Sequence, residues 1–196
     1  MNAIQSRYVA VVQKIYWFAY LQMLWFLFTL IGCIVLGIFP ATHALIVALK
    51  EENLSSREAF SLFKHIYSTS FLKLSSAGLL FKLIFILIAI NLVILQSMYI
   101  KIIVLCMLGL VFLSSIHFLQ YFNFRKPIIF QMKTAFSLVW LLPKNNLGYV
   151  CVFFLLIVAI SFMPGLTFFF GVSITMLGIV KIGNSKESQR LKKDLI

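Results

Sequence analysis

The chain has 196 residues, of which 62% are hydrophobic and 11% charged, with a formal net charge of +12. Soluble domains carry about 45–50% apolar and about 25% charged residues, so this composition excludes a water-soluble globular domain. The basic residues are scattered over several short segments and not gathered in one domain, which argues against a nucleic-acid partner.

The apolar residues come in long blocks. From Ile15 to Leu49 the only acidic or basic side chain is His43, and Leu83 to Ile100 has none. Stretches of about 18 or more such residues cross a hydrocarbon core of ~30 Å as a helix. A closed β-barrel would alternate polar and apolar positions, whereas these blocks are apolar on every face, so the fold class is all-α and polytopic. Arg7 and Lys14 precede the first block like the basic start of a signal peptide, but the block is too long for one and further spans follow, so it is read as a retained span.

Taken in chain order, the first arm runs from Ile15 to about Leu36. It breaks at Gly37-Ile38-Phe39-Pro40, and resumes from Ala41 to Leu49 with Thr42 as a possible cap. This second arm is short for a crossing unless it extends into residues 50–53. Residues 54–72 read as an interfacial amphipathic helix, with Ser55 or Ser56 as cap, Glu58 in its first turn, and Phe60, Phe63, Tyr67 and Phe71 along one stripe. A second hairpin runs from about Ala77 to Leu95 and from Ile102 to about Phe122. Lys82 lies two turns into it, its stem carrying the ammonium back toward the cytoplasmic interface. Pro127 opens another amphipathic helix to Leu142, with Ile129, Met132, Phe136 and Trp140 on one stripe. A third hairpin follows, bent at Met163-Pro164-Gly165.

The expected architecture is therefore about six arms in three hairpins, joined by two cytoplasmic amphipathic helices. Residues 1–182 form one membrane domain and 183–196 a basic tail. The string Ala-Phe-Ser-Leu occurs at 59–62 and again at 135–138, in segments that a same-orientation internal repeat would place equivalently. Basic residues lie before the first arm, in both amphipathic segments and in the tail, so the positive-inside rule puts all four in the cytoplasm. A five-span arrangement with the N-terminus outside is the alternative.

Candidate intramembrane polar residues are His43, Asn91 and His117, with Gln96 and Gln120 beside them. No Asp or Glu falls within an expected span, and no H-E-x-x-H motif or nucleophile-base pair is present. Cys33, Cys106 and Cys151 lack metal-ligand spacing and read as packing residues. No cofactor or metal is expected, and no enzyme activity.

The stretch Leu24-Trp25-Phe26-Leu27-Phe28-Thr29-Leu30, followed by Gly37-Ile38-Phe39-Pro40-Ala41-Thr42-His43-Ala44-Leu45, resembles the opening of the YesL-like bacterial membrane proteins, domain-of-unknown-function family 624. A segment like Phe60-Ser61-Leu62-Phe63-Lys64 follows in that family too. The resemblance implies a small bacterial inner-membrane protein, of a kind encoded beside carbohydrate importers, with Gly37, Pro40 and Thr42 as a structural break and no catalytic residues to carry over. Two functions remain open at this point. One is a non-enzymatic accessory subunit that lies in the lipid bilayer against the permease of an ABC importer of oligosaccharides; the other is an autonomous small transporter or channel, with a path near His43, Asn91 and His117.

Overall fold

The computed structural model describes residues 3–51 and 54–185. Among these residues there are seven helices and no strand: α1 (Ala3–Ile31), α2 (Ile38–Lys50), α3 (Ser56–Ile94), α4 (Met98–Tyr121), α5 (Ile128–Leu141), α6 (Pro143–Phe162) and α7 (Pro164–Gly183). Lys186, Arg190, Lys192 and Lys193 of the basic tail, and Glu52 and Asn53 of the first loop, lie outside the described residues. α7 runs one residue past the expected domain boundary at 182.

The first break falls earlier than the Gly37 to Pro40 string suggests. α1 stops at Ile31 in a Schellman motif, in which the Ile34 N–H donates to the Thr29 carbonyl and the Cys33 N–H to the Leu30 carbonyl, each at 3.0 Å. Cys33 and Ile34 have positive φ, 52° and 59°, a conformation that costs an L-residue about 1–2 kcal/mol. The chain accepts it because the reversal is tight. A Cβ on Gly32 would lie 2.4 Å from Gly37 Cα and 2.5 Å from Tyr67 Oη, and one on Gly37 would lie 2.4 Å from the Thr29 carbonyl oxygen. Space, and not backbone freedom, requires both glycines. Pro40 then sits inside the first turn of α2, where its missing N–H has no helical partner to lose.

α2 has only 13 residues, about 20 Å at ~1.5 Å per residue, which is short of a crossing. Its residues from Phe39 to Ile46 are all buried, as is Ala48, the mark of a helix enclosed on every side. α1, α3, α4 and α7 surround it. Five other helices are long and apolar enough to span, namely α1 from Val11 on, α3, α4, α6 and α7. The count of about six arms is thus roughly matched, by five helices long enough to span and α2 as a short central helix.

α3 departs from the expected pattern. The amphipathic segment and the following arm form one unbroken helix of 39 residues, because no proline interrupts Ser56 to Ile94 and the single glycine, Gly78, packs against the Phe39 ring. It opens with a capping box: the Glu58 N–H donates to Ser55 Oγ and the Ser55 N–H to the Glu58 carboxylate. The inward stripe is Ala59, Phe63, Tyr67, Ser70 and Leu74, while Phe60 is 42% exposed. This first half of α3 packs on α1 and α2, where Phe28 meets Phe60, Phe63 and Tyr67, and not on the membrane interface alone.

α5 behaves differently. Gln131, Ala135, Leu138 and Val139 face inward, and Ile129, Phe136 and Trp140 face out. Pro143 at the start of α6 separates α5 from the next span, so α5 and α6 together take the place that unbroken α3 takes earlier in the chain. The two Ala-Phe-Ser-Leu strings present the same faces: Ala59 and Ala135 are buried, and Phe60 and Phe136 exposed. The last hairpin turns at Met163-Pro164, as expected. All three cysteines are exposed, Cys33 in the α1–α2 turn and Cys106 and Cys151 on α4 and α6, which corrects the reading of them as packing residues.

Candidate functional site

The buried polar side chains concentrate where the ends of α2, α4 and α7 meet the start of α6. The last turn of any α-helix leaves carbonyls without intrahelical donors, and α4 ends here. The His43 ring, 8% exposed, places Nδ1 2.9 Å from the Leu119 carbonyl oxygen, and Lys50 donates to the Gln120 carbonyl at 2.8 Å. A carbonyl only accepts, so His43 Nδ1 carries a proton. Two side chains of α2 thus close the end of α4, and the lysine also suits the negative end of the helix dipole. The edge of the Phe122 ring packs on His43.

Gln120 reaches across to α7 and α6. Its Nε2 donates to the Ile179 carbonyl at 3.2 Å, and its Oε1 accepts from the fully buried Tyr149 hydroxyl at 2.6 Å. Gly183 leaves the space Gln120 occupies, since a Cβ there would overlap the carboxamide. Tyr121 Oη donates to the Gly183 carbonyl at 3.1 Å.

His117 is fully buried beside this network. Asn146 Nδ2 donates to the Val139 carbonyl at 2.5 Å, which leaves Asn146 Oδ1 as the acceptor for His117 Nε2 at 2.8 Å. Nε2 is therefore the protonated nitrogen, and Nδ1 presents a lone pair with no partner among the described residues. The cavity beside it, lined by residues including Tyr121, Gln131 and Thr134, has a volume of about 20 Å³, the size of a single water site and far below a sugar.

Other buried polar side chains tie one helix to another or to a turn. Trp25 Nε1 donates to Thr42 Oγ1 at 3.0 Å, so Thr42 ties α2 to α1 and does not cap α2; the cap residue is Gly37, with no side-chain bond. Ser75 Oγ donates to the Leu36 carbonyl at 3.0 Å. Gln22 inserts its carboxamide into the α7 ladder: Nε2 donates to the Phe168 carbonyl at 3.2 Å, while Oε1 accepts from the Ser173 N–H at 2.9 Å. Sequence inspection missed Gln22, which sits in a run of aromatic residues and has no periodic signal.

The expected trio of polar residues does not assemble. His43 and His117 both reach the last turns of α4, but Asn91 lies near the opposite end of α3, exposed, and its Nδ2 bonds back to the Leu87 carbonyl at 2.7 Å. Lys82 also differs from expectation. Its ammonium donates to the Val35 carbonyl, in the α1–α2 turn, instead of reaching toward the end where Lys50 lies.

Among the described residues no group of three or more His, Cys, Asp or Glu side chains is placed to hold a metal. The chemistry this arrangement supports is hydrogen bonding between helix ends.

The model of the family described as "Protein of unknown function, DUF624" matches residues 18–92. Over that segment the chain is similar to the DUF624 family. That segment takes in most of α1, the Gly32 to Gly37 turn, α2 with His43, and α3 past Lys82, so the resemblance seen at Gly37 to Leu45 stands. The chain is similar to the uncharacterized protein YteU of Bacillus subtilis (strain 168), with 26% identity over 167 residues, which is 80% of this chain and 74% of YteU. It is also similar to the uncharacterized protein YesV of the same organism, with 33% identity over 75 residues, 37% of this chain and 36% of YesV. No solved structure matches the chain. Gln120, His117 and Tyr149, which complete the polar network, lie beyond the DUF624 match.

Proposed function

We propose that this DUF624-type chain is a non-enzymatic accessory subunit of the bacterial inner membrane, packed against the permease of an ABC importer of carbohydrates, with its basic loops in the cytoplasm. The observation that carries the reading is the commitment of His43, Lys50, Gln120 and Tyr149 to helix-end carbonyls and to one another. Groups bound in this way hold a bundle together, and a transport path would need them facing a solvated cavity. The link to carbohydrate import rests on the family resemblance, by analogy. Orientation rests on Lys50, Arg125, Lys126, Lys144 and Lys181, which the positive-inside rule assigns to the cytoplasm.

The test is affinity purification of the full chain in mild detergent from cells expressing the permease subunits of a carbohydrate ABC importer. The expected result is co-elution of chain and permease, with slower oligosaccharide import in a strain lacking the chain. A chain that elutes alone, in cells whose import is unchanged by its deletion, overturns the proposal.

A further inference from the structure

Lys82 is a cation in the apolar half of α3 that the helix-end network does not explain. It sits on a helical stretch whose neighbours are Phe81, Leu83, Phe85 and Ile86, and residues 83–94 carry α3 about 18 Å beyond it. A lysine within a membrane-spanning stretch is costly unless it is paired or reaches the interface. Among the described residues its ammonium meets neutral groups, the Val35 carbonyl and, 5.9 Å away, the centre of the Phe39 ring. Acids are far from Lys82 in the sequence. None occurs in the sequence before Glu51 or between Glu58 and Glu187, and Glu58 lies 24 residues earlier on the same helix, about 36 Å along its axis.

The surface around Lys82 is a groove of about 380 Å³, floored by Phe39 and Phe81 and walled by Val35, Phe85 and Phe112. Ile34, Val35 and Ile86 on its rim are 53%, 54% and 56% exposed, so it opens outward from the bundle. Apolar walls around one uncompensated cation complement a helix that is apolar apart from one anion. Charged side chains inside membranes pair with one another, and helices in lipid associate through packing and such polar contacts.

We infer that Lys82 and its groove form a docking site for a membrane-spanning helix of another polypeptide that carries an aspartate or glutamate at the depth of Lys82. The inference rests on the accessory-subunit reading and supplies its contact. In the docked state the carboxylate takes the ammonium, and Phe85, Ile86 and Val35 pack against the incoming helix.

The test uses the purified full chain in phosphatidylcholine vesicles and a synthetic leucine-rich transmembrane peptide bearing a central Glu, Gln or Leu, with association read by energy transfer. The Glu peptide is expected to associate roughly three- to eighteenfold more tightly than the Leu peptide, the range that interhelical polar contacts of about 0.6–1.7 kcal/mol give. Lys82→Arg keeps that preference and Lys82→Met abolishes it, with α3 helicity unchanged by circular dichroism. Equal association of the three peptides, or a preference that survives Lys82→Met, overturns the inference. So does a Lys82-dependent binding of phosphatidylglycerol with no preference for the Glu peptide, which would assign the groove to a lipid headgroup. No permease enters this assay, so its failure leaves the accessory reading to stand or fall on co-purification.

Discussion

At the scale of single residues, the polar groups of this protein divide by what they touch. His43 donates to a buried carbonyl that has no other donor, whereas Asn91 is exposed and bonds back to its own helix. Replacing His43 by leucine leaves the Leu119 carbonyl unsatisfied, and a buried polar group in that state costs about 1–3 kcal/mol. His43→Leu is therefore expected to lower the stability of the purified protein by that amount in detergent unfolding, while Asn91→Leu stays within about 0.5 kcal/mol. Equal effects would remove the distinction. The sequence marks both residues alike, as lone polar side chains in apolar runs; only the crossing of α2 and α4 makes one of them a cap.

The helices themselves follow local chemistry closely. Ser55 and Glu58 start α3 by a capping box, Pro127 directly precedes α5, and Pro143 and Pro164 mark the starts of α6 and α7. Such signals are readable because they act within three or four residues. The fusion of the first amphipathic segment with its span was not readable in the same way, since both a separate helix and a continuous one satisfy the periodicity of residues 56–94. Nor was the end of α1 at Ile31, because Cys33 and Ile34 take positive φ in a reversal whose closest approaches, Gly32 to Gly37 and to the Tyr67 hydroxyl, exist only in the folded chain. The outward stripe of α5 has a direct consequence. Trp140 is 67% exposed beside Ile129 and Phe136, which suits a helix lying against lipid. In a variant retaining Trp140 as its single tryptophan, brominated lipid is expected to quench most of the emission. Emission quenched instead by aqueous iodide would place α5 in water.

For the whole molecule, composition alone dictates a helical membrane protein, and the distribution of apolar blocks dictates three hairpins. The central position of α2 depends on a property that no window of sequence displays, namely that its 13 residues are enclosed by four other helices. Once α2 is central, its polar residues reach the ends of its neighbours, and the polar network follows from that placement. The candidate trio His43, Asn91 and His117 was legible as residue types but not as a site, because residues on α2, α3 and α4 converge only if the helices bring them to one level, and Asn91 is not brought there. Lys82 meets the α1–α2 turn for the same geometric reason, since that turn packs on the middle of α3.

The central claim is that the buried polar groups join helices and do not line a path. It is tested most directly by flux through the purified protein reconstituted in liposomes, measured with labelled mono- and oligosaccharides and with potassium and protons. The account predicts flux no greater than in protein-free liposomes for all of them. Saturable flux of any one, abolished by His43→Leu or by His117→Leu in protein that remains folded, would contradict it.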